Sequence, residues 1–334
     1  MNKRFNENIA LLCYREDKKT TEKVQSYTRF NNPLLFAYFN NKSFGFFNIE
    51  QFEKILLDQT IYQDIESTKI KLLKDKSPVL NGTFKKNEKP IEYDKIKIKD
   101  SINDFFYPML KNAFYYIESS NFEHYNIIEN HCQAICLFKT DPANTNSFAT
   151  INAHGMAFLN VYQQNEYDEV FFVDDISHQT GHIIMNSFWF ERKKHFIINE
   201  NANIKDIVNN PNEYRSFFIL FHALYTYYTS VLCLEKCIDS NCFNSEQKIE
   251  ASARIVFYLR KYAYDIMNFE KVCQHYRGIE KLINSESQHL YQQIKKKYIQ
   301  SQIRWKQELS EFTFINQPYN FTFSIFKKEN PNLK

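Results

Sequence analysis

The sequence predicts an α+β protein that is mostly helical, with a few short strands and a mixed N-terminal lobe, and three observations predict it. From about residue 166 to residue 310, apolar positions recur every three or four residues in four successive stretches. Ahead of them lie two short runs rich in strand-forming residues, at 134–140 and 147–162, the second broken by Gly155, which reads as a bulge or a point of close approach. The first hundred residues mix aromatic runs with a lysine-rich, turn-bearing segment.

In chain order, Leu34-Leu-Phe-Ala-Tyr-Phe39 and Phe44-Gly-Phe-Phe47 are aromatic runs, and 49–57 has a helical period. The segment 69–99 carries many lysines, with Pro78, Asn81-Gly82 and Pro90 as turn signals, so it reads as a solvated connection or an irregular lobe. A boundary near residue 100 then separates a variable lobe over 1–100, a candidate for peptide binding, from a helix-rich region over 101–334. That region opens with a helix over 102–118, carrying Phe105, Phe106, Met109, Leu110, Ala113, Phe114 and Ile117 and interrupted by Pro108. Helices follow the two strand runs over 166–190, 212–237, 245–276 and 278–310, with Asn, Ser or Pro near their starts. The charged stretch Gln292-Gln-Ile-Lys-Lys-Lys-Tyr-Ile in the last of these is a solvated face. At the end, Phe312-Thr-Phe-Ile and Phe321-Thr-Phe-Ser-Ile-Phe326 alternate and predict a terminal strand or hairpin.

Composition narrows the function classes. The 334 residues include 42 basic and 39 acidic side chains spread along the chain, a net charge of +3, so no long-range field toward nucleic acid or a membrane is implied. Aromatics are 17% of the residues, so rings must build much of the core. No apolar run reaches the roughly 20 residues of a membrane span, and the apolar stretch after the first residues is too short for a signal peptide. A cytoplasmic location is the expectation. Seven dispersed cysteines fit reduced thiols better than a disulfide frame, and Cys233-x3-Cys237-x4-Cys242 matches no common zinc or iron–sulfur spacing.

One segment carries a specific chemical signal: Asp174-Asp-Ile-Ser-His178-Gln-Thr-Gly-His182. Within a helix, a four-residue step sets His178 and His182 on one face with their rings adjacent, as two imidazoles must be to share a metal ion. Zincins use the same step with a glutamate between the histidines as general base. Here that position is Gln179, and an amide cannot take a proton from water at neutral pH. Hydrolysis therefore loses its base while metal binding survives. A strand-like run, Gly155-Met-Ala-Phe-Leu-Asn-Val161, precedes the pair, and the next helix carries Arg215 and, seven residues later, His222 in an aromatic setting.

This arrangement resembles the HExxH-motif proteins associated with ribosomally made peptides, some of which are 2-oxoglutarate-dependent iron enzymes that β-hydroxylate a precursor peptide. The features that carry the resemblance are Gly155-Met-Ala-Phe-Leu159, His178-Gln-Thr-Gly-His182, Arg215 and His222-Ala-Leu-Tyr225, covering about residues 150 to 260. Two features depart from the family pattern. Gln179 replaces the usual glutamate, and the family's Trp-Arg-x-Asp-Pro-Arg-Pro surroundings are reduced to Asn212-Glu-Tyr-Arg215-Ser. The first departure would disable a zincin but need not harm an oxygenase, where no water is deprotonated.

The resemblance implies Fe(II) held by His178, His182 and His222, with zinc as the alternative metal, and 2-oxoglutarate as cosubstrate. Asp174 and Asp175, three to four residues before His178, are alternative third ligands or supports for the histidines. Arg215 or Arg254 would anchor the distal carboxylate of the cosubstrate, because a guanidinium pairs with both of its oxygens. Gln179 would orient a bound ligand by hydrogen bonds. The implied partner is a precursor peptide. Two other readings stay open: a metal- or peptide-binding protein without turnover, using a groove such as Tyr225, Tyr227 and Tyr228, and a zinc peptidase taking its base from Glu166 or Glu213.

Overall fold

The computed structural model describes residues 3–25, 27–42, 49–58, 60–86, 89–163 and 166–333; the aromatic run at 44–47 lies outside them. Helices dominate and the strands are few and short, so the fold is α+β and mostly helical. The chain divides into two compact units, Met1–Ser187 and Phe188–Lys334.

In the first unit, α1 (Lys3–Glu16), α2 (Lys18–Glu22), α3 (Pro33–Lys42) and α4 (Ile49–Leu57) precede the strands β1 (Tyr62–Asp64) and β2 (Lys71–Leu73). A ribbon of β3 (Lys85–Lys86) and β4 (Lys89–Pro90) leads to α5 (Asp100–Ser120) and α6 (Phe122–His131). Then come β5 (Ala134–Phe138), β6 (Phe148–Ala149), β7 (Met156–Asn160) and α7 (Glu169–Phe188). The main sheet runs β1-β2-β5-β7-β6, with β2, β5 and β7 parallel and the two edges antiparallel.

Every residue of β5 and β7 is buried, which is why both read as unbroken apolar runs: a parallel strand covered on both faces has no polar side to show. Ala134, Cys136, Phe138, Met156 and Phe158 share a core with Leu34, Leu35, Tyr38, Phe52 and Phe84 from the first hundred residues. Phe84 meets Phe138, Phe148 and Phe158 at ring distances of 5.1 to 5.4 Å. Gly155 bends the chain into β7 at φ +89°, where a Cβ would come within 3.3 Å of Gln133. Because β2 pairs with β5, residues on both sides of position 100 share one sheet. The first compact unit runs on through α7 to Ser187.

The helix α5 runs through Pro108 and buries Ile102, Phe106, Leu110, Ala113, Phe114 and Ile117 along one stripe. Asn103 on the same stripe donates to the carbonyls of Leu73 and Lys74, tying the helix to the end of β2.

The second unit holds α8 (Arg192–His195), α9 (Lys205–Val208), α10 (Phe217–Asp239), α11 (Ser245–His275), α12 (Ser285–Arg304), α13 (Lys306–Glu311) and α14 (Phe323–Glu329). Ser216 caps α10, and Asn244 with Gln247 forms a capping box on α11. Phe217 and Phe221 of α10 pack on Phe269 of α11, which stacks on Tyr291 of α12 at 3.9 Å. By length and composition α10 is apolar enough to cross a membrane, but most of it is buried inside the structure, as befits a core helix. The terminal hairpin expected at 312–326 is absent among the described residues: 323–329 is helical, and Phe312, Phe314 and Phe321 gather around Phe326. In a chain this rich in Phe, chance alternation imitates a strand, whereas Phe323 and Phe326 bury one side of a helical turn.

Candidate functional site

The helix α7 sets the site. Its first turn is fixed by the Asp168 carboxylate, which accepts from the Val170 N–H at 2.9 Å. Ser177 and Thr180 return their hydroxyls to the carbonyls of Val173 and Ile176, so these buried hydroxyls are satisfied within the helix. On this rigid element the rings of His178 and His182 stand 5.1 Å apart, with their planes 72° from parallel. Desolvation, and secondarily the neighbouring His178, pushes the pKa of His182 down to about 3, so its imidazole is neutral and able to donate a lone pair at any physiological pH.

Gln179 is buried, and its Nε2 donates to Asp175 Oδ1 at 3.0 Å, one turn back, while its Oε1 is buried with no hydrogen-bond partner among the described residues. An acceptor left in that state is costly and oriented, and a bound donor would satisfy it. Asp174, four residues before His178, is buried as well. Even so, no three His, Cys, Asp or Glu side chains converge as a metal-binding group among the described residues.

The other expected residues belong to the second unit. His222 is buried on α10, its ring edge-on to Phe218 at 5.4 Å and to Trp189 at 6.2 Å. Arg215 is engaged by two carboxylates at once. Its Nε and Nη2 donate to Glu213 at 2.8 and 2.7 Å, and its Nη1 and Nη2 donate to Asp265 at 2.8 and 2.6 Å. Burial by itself would lower the pKa of the guanidinium, but the two carboxylates raise it well above its usual value. Glu213 is held below the ordinary carboxylate range by Arg215, whereas burial outweighs the same partner at Asp265 and lifts it. Arg254 is buried and paired with Glu250 one turn earlier, at 2.7 Å, beneath the ring of Phe321.

No family model matches this chain, and no curated protein does.

The structure sets the His178 and His182 rings side by side on α7, and it engages the guanidiniums of both Arg215 and Arg254 with carboxylates. Four of the five Arg215 N–H groups are committed to carboxylates, which are already the shape a 2-oxoglutarate carboxylate would need to displace. Glu213, one candidate base for a peptidase, is held in the same cluster. Tyr225 and Tyr227 are buried, with Tyr227 packed on Tyr258 and Tyr262 of α11, whereas Tyr228 is half-buried beside Tyr225. The cysteines are thiols, and Cys233 and Cys237 are buried one turn apart on α10 as their spacing indicated. What the sequence did not reveal is Asp265 as the second partner of Arg215, fifty positions away, and the buried histidines His124 and His154. Nothing in their local sequence sets these apart from surface residues.

Proposed function

We propose that α7 is a metal-binding helix and that the protein is an Fe(II)- and 2-oxoglutarate-dependent hydroxylase of a side chain in a ribosomally made precursor peptide. The observation that carries this reading is the adjacent His178 and His182 pair with an amide, not a carboxylate, between them. Neutral imidazoles suit Fe, Zn and their first-row neighbours, so the donor chemistry fits such an ion. Iron with 2-oxoglutarate, when bound, supplies an oxidant from dioxygen, a chemistry that requires no base at position 179. His178 and His182 hold the metal in this reading, and Gln179, steadied by Asp175, presents Oε1 to a donor on the bound ligand. The thiol state of the cysteines agrees with a reducing compartment, and we place the protein in the cytoplasm.

A second reading, a metal- or peptide-binding protein without turnover, is favoured by the ion pairs that occupy Arg215 and Arg254. Anaerobic addition of Fe(II) and 2-oxoglutarate separates the two. The hydroxylase reading expects a visible charge-transfer band in the wild type that is lost in His178→Ala and His182→Ala, with His222→Ala testing the third ligand the resemblance implies. Tight zinc with indifference to 2-oxoglutarate would select the metal-binding form of the second reading, and failure to bind either metal would remove the hydroxylase and leave only the peptide-binding form.

A further inference from the structure

An independent feature of the first unit stands at the carboxyl ends of the parallel strands. A cleft of about 650 Å³ opens where β5 and β7 end, lined by Lys139 and Thr140 just past β5 and by Tyr162 just past β7. In open sheets of parallel strands, this end of the sheet is where ligands bind, because the connections diverge there and leave a crevice. The opposite wall is the segment Lys95-Ile-Lys-Ile-Lys99. Ile96 and Ile98 are buried, and the alternation turns Lys95, Lys97 and Lys99 outward into the lining. An antiparallel bridge between Lys97 and Lys139, with N–H···O distances of 3.0 and 2.9 Å, fixes the two walls to each other.

The cleft is a built site in two further respects. Its loop wall is held by Asn160, whose side chain accepts from the Thr140 N–H and donates to the carbonyls of Thr140 and Thr145, while Asn144 donates to the Thr140 hydroxyl. Its floor includes Ser101 and Ile102 in the first turn of α5, whose N-cap residue Lys99 gives no side-chain cap. Four lysines, Lys95, Lys97, Lys99 and Lys139, and one acid, Asp141, are among the lining residues. Lys95 is paired with Glu92 at 3.0 Å, but Lys97 and Lys99 make no ion pair among the described residues. Apolar surface comes from Ile102, Phe106 and the ring of Tyr162, which is 42% exposed.

We infer that this cleft binds a phosphorylated small molecule with a planar aromatic body, of the nucleoside diphosphate class. Lysines act as point charges for the phosphates, the volume suits a ligand of that size, and Tyr162 offers a face for the ring. Lys97 and Lys99 together carry two positive charges that no ion pair among the described residues answers, more than a single carboxylate ligand would match, which favours a polyanion.

Calorimetric titration of the full chain with ADP, pyrophosphate and adenosine, each without metal, tests the assignment. ADP is expected to bind saturably and more tightly than either fragment. The double variant Lys97→Gln/Lys99→Gln should weaken ADP by about tenfold or more, as the loss of two charge-assisted contacts predicts. Tyr162→Ala should weaken ADP and leave pyrophosphate unchanged. No saturable ADP binding up to about 1 mM overturns the proposal. So does ADP affinity that the double variant does not alter, or a single-stranded oligonucleotide that binds more tightly than ADP and is lost in the double variant.

Discussion

Two groups of cations in this protein illustrate opposite uses of the same charge. Around Arg215 every part of the guanidinium fork but one N–H is answered by Glu213 and Asp265, both buried, and Arg254 is buried against Glu250. Around the cleft at the ends of β5 and β7, Lys97 and Lys99 are exposed and form no ion pair among the described residues. A charge already matched by buried carboxylates is committed to the fold, because releasing it would strand those carboxylates away from water. A charge held at the rim of a cleft by its backbone alone costs the fold little and is available to a ligand. Residue type and spacing in the sequence single out the arginines, whereas the surroundings in the structure single out the lysines.

The largest effect that would break this comparison is at Arg215. Arg215→Met leaves Glu213 and Asp265 buried without their cation and should destabilise the folded chain by about 3–5 kcal/mol. Denaturant unfolding followed by circular dichroism measures it, and Arg215→Lys should recover only part of the loss, since an ammonium cannot span both carboxylates. A cost below about 1 kcal/mol for Arg215→Met would show the pairing to be dispensable and return Arg215 to the list of cosubstrate anchors.

A smaller effect distinguishes buried histidines from the α7 pair. Burial lowers His124 to about 4, and burial together with the nearby charge of His131 lowers His154 to about 4, where its Nε2 meets the Ser187 hydroxyl at 3.0 Å. The unfolded chain binds these protons near pH 6.5 and the folded chain does not until about pH 4. Stability is therefore complete above about 6.5 and is lost as the pH falls toward 4, by about 3 kcal/mol for each group. His124→Phe should flatten its share of this acid limb in unfolding curves taken between pH 7 and 4. An unchanged slope would mean that His124 is solvated in the native state.

Much of the fold was legible in the chain. The helices α7, α10 and α11 follow the apolar period within a few residues; the strand run read at 134–140 holds β5, while the one read at 147–162 is divided into β6, a 3-10 turn and β7. The histidine pair was legible for the same reason, since a four-residue step on a helix is local geometry. The role of Arg215 was not, because its second partner Asp265 lies fifty residues away and only the packing of α11 brings it there. The turn-rich lysine segment resembles a linker although β2, within it, belongs to the central sheet. The alternation of lysine and isoleucine at 95–99 was visible as a two-residue period, but its partner Lys139 is supplied only by the bridge to the end of β5.

The smallest expected effect sharpens the comparison from the lysine side. Among the described residues Lys97 and Lys99 are exposed and make no ion pair, and lysines drawn together around one cleft repel one another. Replacing both by Gln removes that repulsion and breaks no ion pair. Stability of the unliganded protein should therefore stay within about 0.5 kcal/mol of wild type, and any shift should be toward greater stability at low ionic strength, vanishing as salt shortens the screening length. Thermal unfolding at two salt concentrations reads this directly. A loss of stability that persists in high salt would mean that these side chains hold the two walls of the cleft together, and their charge would then be committed to the fold as that of Arg215 is.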